Sequence, residues 1–272
     1  MSKTVTQVLP LLFSVFSVVL SGYMSVRQQR ISAKLRLEES RREKEESALA
    51  AAQRVYEPMA QAAAELQSRI YNIVENDWVT LTKRYEGHGD YPSKSTAFLF
   101  AHYFGWVEAR RQSVLDSSGK GNRDEKVQSL IDGITKIMRR GDDSEGFSFF
   151  SAEQRAIGEL MFFWEVVPDS GLRIPHVLGY AAFSAKYKDD PTFREWFNPV
   201  DAGMRRVAEG DNTRLIDIQG ALVHLILELD PKQRYTTGYD LKPIGAEVGW
   251  MPDGASAVPT SGEPSTEPQP TN

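Results

Sequence analysis

From residue 4 to residue 26 the chain carries no charged side chain, and Arg27 closes the run. As a helix rising about 1.5 Å per residue, that stretch extends roughly 34 Å, enough to cross a hydrocarbon core of about 30 Å. Residues 1–26 are therefore expected to form a transmembrane anchor, with the lipid bilayer as the partner of residues 4–26. The most apolar part, 8–20, is interrupted by Pro10, Ser14 and Ser17 and is short enough to be the apolar region of a cleavable signal, with Val18-Val19-Leu20-Ser21 as a weak cleavage site. Charge argues against cleavage. Only Lys3 and the amino terminus precede the run, whereas Arg27, Arg30, Lys34, Arg36, Arg41, Arg42 and Lys44 follow it. A basic excess after a span marks the cytoplasmic side, so the expectation is a single-pass protein of the cell membrane whose C-terminal domain faces the cytoplasm.

Cysteine is absent, which excludes disulfides, thiol nucleophiles and Cys-based zinc sites. The net charge of −5 is unevenly spread. Residues 27–57 are basic on balance, while 58–251 and 252–272 are acidic. An acidic globular part lacks the basic surface that phosphate backbones require, so no nucleic-acid partner is expected.

Residues 27–57 contain neither Gly nor Pro and are rich in Ala, Leu, Arg, Lys, Glu and Gln, which predicts a helical stalk. Residues 38–47 hold no apolar side chain, so coiled-coil heptads fail there. Arg27, Arg30, Lys34 and Arg36 meet no acid before Glu38; they could contact anionic lipid head groups at about 1 kcal/mol each, or serve simply as topology determinants. Pro58 suits the first position of a new helix running to about residue 83. The region 58–251 reads as one all-α globular domain. Its helices are expected at about 95–115, where the sequence is apolar almost all round, at 122–138, from the capping box Ser151-Ala152-Glu153-Gln154 to about 166, and at 214–229. Asp190-Pro191, Asn198-Pro199 and Asp230-Pro231 each place a capping side chain before an N1 proline. Only 146–150 suggests an extended piece. From 252 to 272, Pro, Gly, Ser and Thr dominate, which predicts a disordered tail.

The histidines at 88, 102, 176 and 224 have no partner at metal-ligand spacing, Gly119-Lys120-Gly121 lacks the spacing of a phosphate loop, and no Gly-x-Ser-x-Gly elbow occurs. No cofactor, metal or catalytic residue is assigned on these patterns. One cluster stands out: His102, Trp106 and Glu108 on the aromatic helix, with Arg155 and Glu159 one turn apart on the next capped one. In a shared cleft, a carboxylate and an imidazole among aromatics could act as an acid–base pair. The simpler reading is a core tie in which Arg–carboxylate pairs and a hydrogen-bonded histidine hold helices together.

Three segments, Glu65-Leu66-Gln67-Ser68-Arg69-Ile70-Tyr71-Asn72-Ile73, Tyr103-Phe104-Gly105-Trp106-Val107-Glu108 and Glu153-Gln154-Arg155-Ala156-Ile157-Gly158-Glu159, resemble a group of uncharacterised bacterial membrane-anchored helical proteins. The resemblance implies a single helical domain and brings no activity. The functional expectation is a membrane-tethered helical interaction or scaffold module, with a protein partner or self-association. The alternative is a membrane-anchored enzyme with its site near His102, Glu108, Arg155 and Glu159.

Overall fold

The computed structural model describes residues 3–83, 90–116, 122–139, 141, 146–168 and 171–245, and within its first helix the side chains of 27–42 and from 54 onward. The tail expected at 252–272 and the Gly119-Lys120-Gly121 turn lie outside the described residues. The elements are α1 (Lys3–Glu75), α2 (Trp78–Lys83), α3 (Tyr91–Asp116), α4 (Asn122–Met138), α5 (Ser151–Met161), β1 (Phe162–Val166), β2 (Arg173–Val177), α6 (Tyr180–Asp189), α7 (Pro191–Glu195), α8 (Asn198–Ala208) and α9 (Thr213–Leu229). Among the described residues the fold is mostly helical, with one short hairpin. It divides into two units, residues 1–54 and 55–272.

In the first unit the backbone is helical throughout its described length. Every described side chain of 27–42 is exposed, including Ile31, Leu35 and Leu37, as a solvated stalk requires. The side chains of 3–26, on which the anchor reading rests, lie outside the described ones. No helix among the described residues is long and apolar enough to cross a membrane.

In the second unit α1 does not stop at Pro58, contrary to the expected start of a new helix there. A proline inside a helix removes one hydrogen bond and costs about 3 kcal/mol. Burial around it opposes that penalty: Val55, Tyr56, Met59, Ala60, Ala62, Ala63, Ala64 and Leu66 are all inside. The helix instead ends after Glu75, near Asp77, which takes a left-handed φ of 46°. Two side-chain amides then tie α1 to α9. Gln219 donates to Gln67 Oε1 (2.9 Å) and to the Lys242 carbonyl (2.9 Å), and accepts from the N–H of Ile244 (2.9 Å). Gln67 donates in turn to the Asp240 carbonyl (3.0 Å), so two buried amides hold the segment after α9 in place.

The core centres on α3, which meets α2, α5, α6, α8 and both strands. Phe100 and Phe104 pack on Phe149, with Phe147 on Phe100; on another side Phe98 meets Phe183, itself ringed by Tyr187, Phe193 and Phe197. Helix α5 lies close against α3 because Gly158 has no side chain: a Cβ there would come within 2.7 Å of the Phe104 carbonyl.

Several local expectations fail for identifiable reasons. The helix opened at Ser151 ends at Met161, and 162–166 form β1, antiparallel to β2 with Phe163 opposite His176 and Glu165 opposite Ile174. Phe162-Phe163-Trp164-Glu165-Val166 is aromatic and β-branched, as strands prefer. The cap also shifts by one residue, since Glu153 accepts from the N–H of Phe150 (2.7 Å). Of the three capped prolines, only Asp190 caps as expected, accepting from Phe193 N–H (3.1 Å). Asn198 is already inside α8, and Asp230-Pro231 opens no helix. Asp230 gathers the turn after α9 instead, accepting from the N–H groups of Arg234 (2.9 Å), Tyr235 (2.8 Å) and Thr236 (3.1 Å) and from the Thr236 hydroxyl.

Candidate functional site

The five residues singled out from sequence fall into two groups on different sides of α3. Positions 102 and 106 are one turn apart, whereas 108 is six residues from 102 and so projects elsewhere around the helix. His102 stacks on Phe98 (centroids 5.2 Å, 15° between planes) and its Nε2 accepts from the Trp106 indole N–H (3.2 Å). Nδ1 lies 3.7 Å from Glu65 Oε2 on α1. With Nε2 accepting, the ring proton of the neutral imidazole belongs on Nδ1, toward Glu65. That arrangement orients the ring and leaves Nε2 engaged with Trp106. Glu65, which the sequence reading did not place near this cluster, stands close to the ring but beyond hydrogen-bond distance of Nδ1.

Glu108 is buried and serves a different network. It accepts from Arg111 through both nitrogens (Nε 2.7 Å, Nη2 2.5 Å) and from Gln112 Nε2 (2.7 Å). Burial alone would push its carboxyl up, but those hydrogen bonds, with the charges of Arg111 and Arg155, hold it below the usual glutamate range. Arg111 also lies 3.9 Å from Glu159, which pairs with Arg155 at 3.0 Å. The result is an alternating chain, Glu108–Arg111–Glu159–Arg155, from core to surface across the α3–α5 contact.

The Arg155–Glu159 pair is not the buried core tie expected from its position. Both side chains are more than half exposed, at 58% and 52%, because they stand on the outer face of α5. The buried charge of the cluster is Glu108. Arg110, one residue from Arg111, is buried as well, donating to Gln128 Oε1 (2.5 Å) and to the Asp124 carbonyl (3.0 Å) on α4.

A small cavity of about 120 Å³ adjoins this network, lined by Tyr103, Glu108, Arg111, Thr135, Ser151 and Arg155 among others. Neither His102 nor Glu159 is on its wall. Tyr103 is almost wholly buried with no hydrogen-bond partner for its hydroxyl among the described residues, and burial pushes its phenol far above the usual value. A cavity of this size admits a few atoms, and its carboxylate is already saturated by Arg111 and Gln112. Among the described residues no group of three or more acidic, histidine or cysteine side chains could hold a metal ion.

A larger concavity, about 660 Å³, opens between α5, α7 and α8, and the sequence patterns gave no hint of it. Glu195 and Trp196 come from α7 and its end, Asn198, Pro199 and Arg205 from one face of α8, and Glu153 from the first turn of α5. Its volume is in the range of small-ligand clefts.

Among the described residues the fold and these sites define a predominantly helical domain with an antiparallel hairpin, a charge network across α3 and α5, and an open polar groove. Comparison with protein-family models, with curated proteins and with solved structures returned no match.

Proposed function

We propose that the chain is a single-pass, membrane-tethered helical interaction module: residues 1–26 span the bilayer, residues 27–57 form a helical stalk, and the domain faces the cytoplasm. The observation that supports interaction over catalysis is that the Glu108 carboxylate and His102 Nε2 are already engaged by neighbouring side chains. Glu108 receives three hydrogen bonds from Arg111 and Gln112, His102 Nε2 is engaged by Trp106, and the two groups occupy different sides of α3. A general base needs an accessible lone pair within reach of a substrate proton, whereas Glu108 turns its oxygens to Arg111 and Gln112 and His102 turns Nε2 to Trp106. At the stalk's start, exposed Arg27, Arg30, Lys34 and Arg36 suit contact with anionic head groups.

The test is capture of the intact tagged chain from detergent-solubilised membranes, followed by crosslinking and identification of what is retained. A defined protein partner, or a second copy of the chain, is the expected result. Failure to retain either, across mild detergents and in the crosslinked sample, overturns the reading.

A further inference from the structure

The groove between α5, α7 and α8 has an unusual wall. Among the tryptophans whose side chains are described, Trp78 carries the Arg69 guanidinium over its ring at 3.8 Å, Trp164 carries that of Arg173 at 4.7 Å, and Trp106 donates to His102. Trp196 has no ring or cation contact among the described residues; it lines the groove and is 36% exposed. The two carboxylates on the same walls are not consumed by ion pairs among the described residues. Glu195 is exposed, and Glu153 gives one oxygen to the N–H of Phe150 and keeps the other. An unpartnered indole lining the same groove as two carboxylates is the chemistry that holds a cation: the ring quadrupole attracts it and the carboxylates neutralise it. Arg205 is the opposing charge. It sits seven residues along α8 from Asn198, about 10 Å along the helix axis, at the far end of the α8 face that lines the groove.

We infer that this groove binds an arginine or lysine side chain presented by a partner protein, with the cation over Trp196 and against Glu195 and Glu153. Arg205 then faces an acidic neighbour of that side chain, so the groove favours a segment of mixed charge over a polycation. The inference rests on the interaction reading above and names the chemistry of the partner.

The probe is an acetylated, amidated tripeptide Gly-Arg-Asp titrated against the full chain in detergent, with the neutral citrulline isostere as control. Saturable binding of the arginine peptide is expected. The citrulline peptide, the Trp196→Leu chain and the Glu195→Gln chain should each bind about tenfold more weakly, the size of a desolvated cation–π or charged contact. Both variants replace exposed side chains, and unchanged far-UV circular dichroism confirms folding; if one variant fails to fold, the other decides. Binding of the citrulline peptide as tight as the arginine peptide, unchanged affinity in the folded variants, or no binding by the unaltered chain overturns the inference. The two readings fail separately. A membrane partner captured equally by unaltered and Trp196→Leu chains keeps the interaction module and removes the groove, whereas a chain that captures no partner leaves the groove to be judged by the peptide titration.

Discussion

Glu108 and Glu159 belong to one charge network, yet their burial assigns them very different weights. Glu159 shares its exposed surface with Arg155, where an i,i+4 pair contributes less than about 1 kcal/mol, so Glu159→Ala should leave unfolding by urea almost unchanged. Removing Glu108 takes three hydrogen bonds from Arg111 and Gln112, and Glu108→Ala should destabilise by about 1–3 kcal/mol on the same measurement. Equal effects of the two replacements would contradict the burial assigned here. Asp230 behaves like Glu108: burial works upward on its carboxyl, but the N–H groups of Tyr235, Arg234 and Thr236 and the Thr236 hydroxyl hold it below the usual aspartate range. For both groups the folded value is depressed. Their stabilisation is therefore fully present above the unfolded values of about 4.3 and 3.9 and is lost as pH falls through the lower folded values. Urea unfolding from pH 7 to pH 3 should show this acid-side loss, and Asp230→Asn should lose less across that window than the unaltered chain. An identical pH profile would mean that the carboxylate charge is not what organises the 230–236 turn.

The helices were legible wherever a three-and-four apolar stripe ran their length: α4 and α9 lie within one residue of expectation at each end, and α3 begins four residues before it. What was hidden depended on tertiary contact. Nothing local to Pro58 says that α1 will continue, because the opposing term comes from side chains buried by distant segments. The hairpin was invisible for a related reason. Its inner positions, Pro175 and Val177, pack toward α3 while Phe163 and Val166 remain exposed, so no clean period-two alternation survives in either strand. The polar cluster was half legible: spacing brought Arg155 to Glu159 and could have brought Arg111 and Gln112 to Glu108, but no spacing could show that Glu65, on α1, reaches His102. Element packing also gives a sharp prediction at Gly158. A methyl group there would meet the Phe104 carbonyl at 2.7 Å and the Glu108 Cβ at 3.0 Å, and backbone on the facing helix cannot yield as a side chain can. Gly158→Ala should therefore lower stability by about 1–3 kcal/mol although alanine is the better helix former. A gain in melting temperature would show that α3 and α5 are farther apart than described.

For the whole molecule, the proposed tether separates two ways of holding a chain at a bilayer. Surface attraction through Arg27, Arg30, Lys34 and Arg36 is worth about 1 kcal/mol per charge and is screened by salt. An uncharged helix of about bilayer length is held by hydrophobic burial, which salt and carbonate do not reverse. The full chain should accordingly remain in the membrane pellet through high-salt and carbonate washes. Replacing all four basic residues by glutamine should not release it, whereas Val15→Arg together with Val19→Arg should, since each arginine near the centre of a span costs about 2.5–3.5 kcal/mol of insertion. Release of the unaltered chain by salt would identify peripheral attachment through the basic stalk. In the proposed topology the same four residues, with Arg41, Arg42 and Lys44, favour the cytoplasmic side. A reporter fused after Asn272 should be active only as a cytoplasmic fusion, and the glutamine replacements, which remove the charges nearest the span, should shift part of the population to the opposite topology. If the fusion instead reports from the outer side in the unaltered chain, the domain works outside the cytoplasm, and the partner that meets its groove must be sought there.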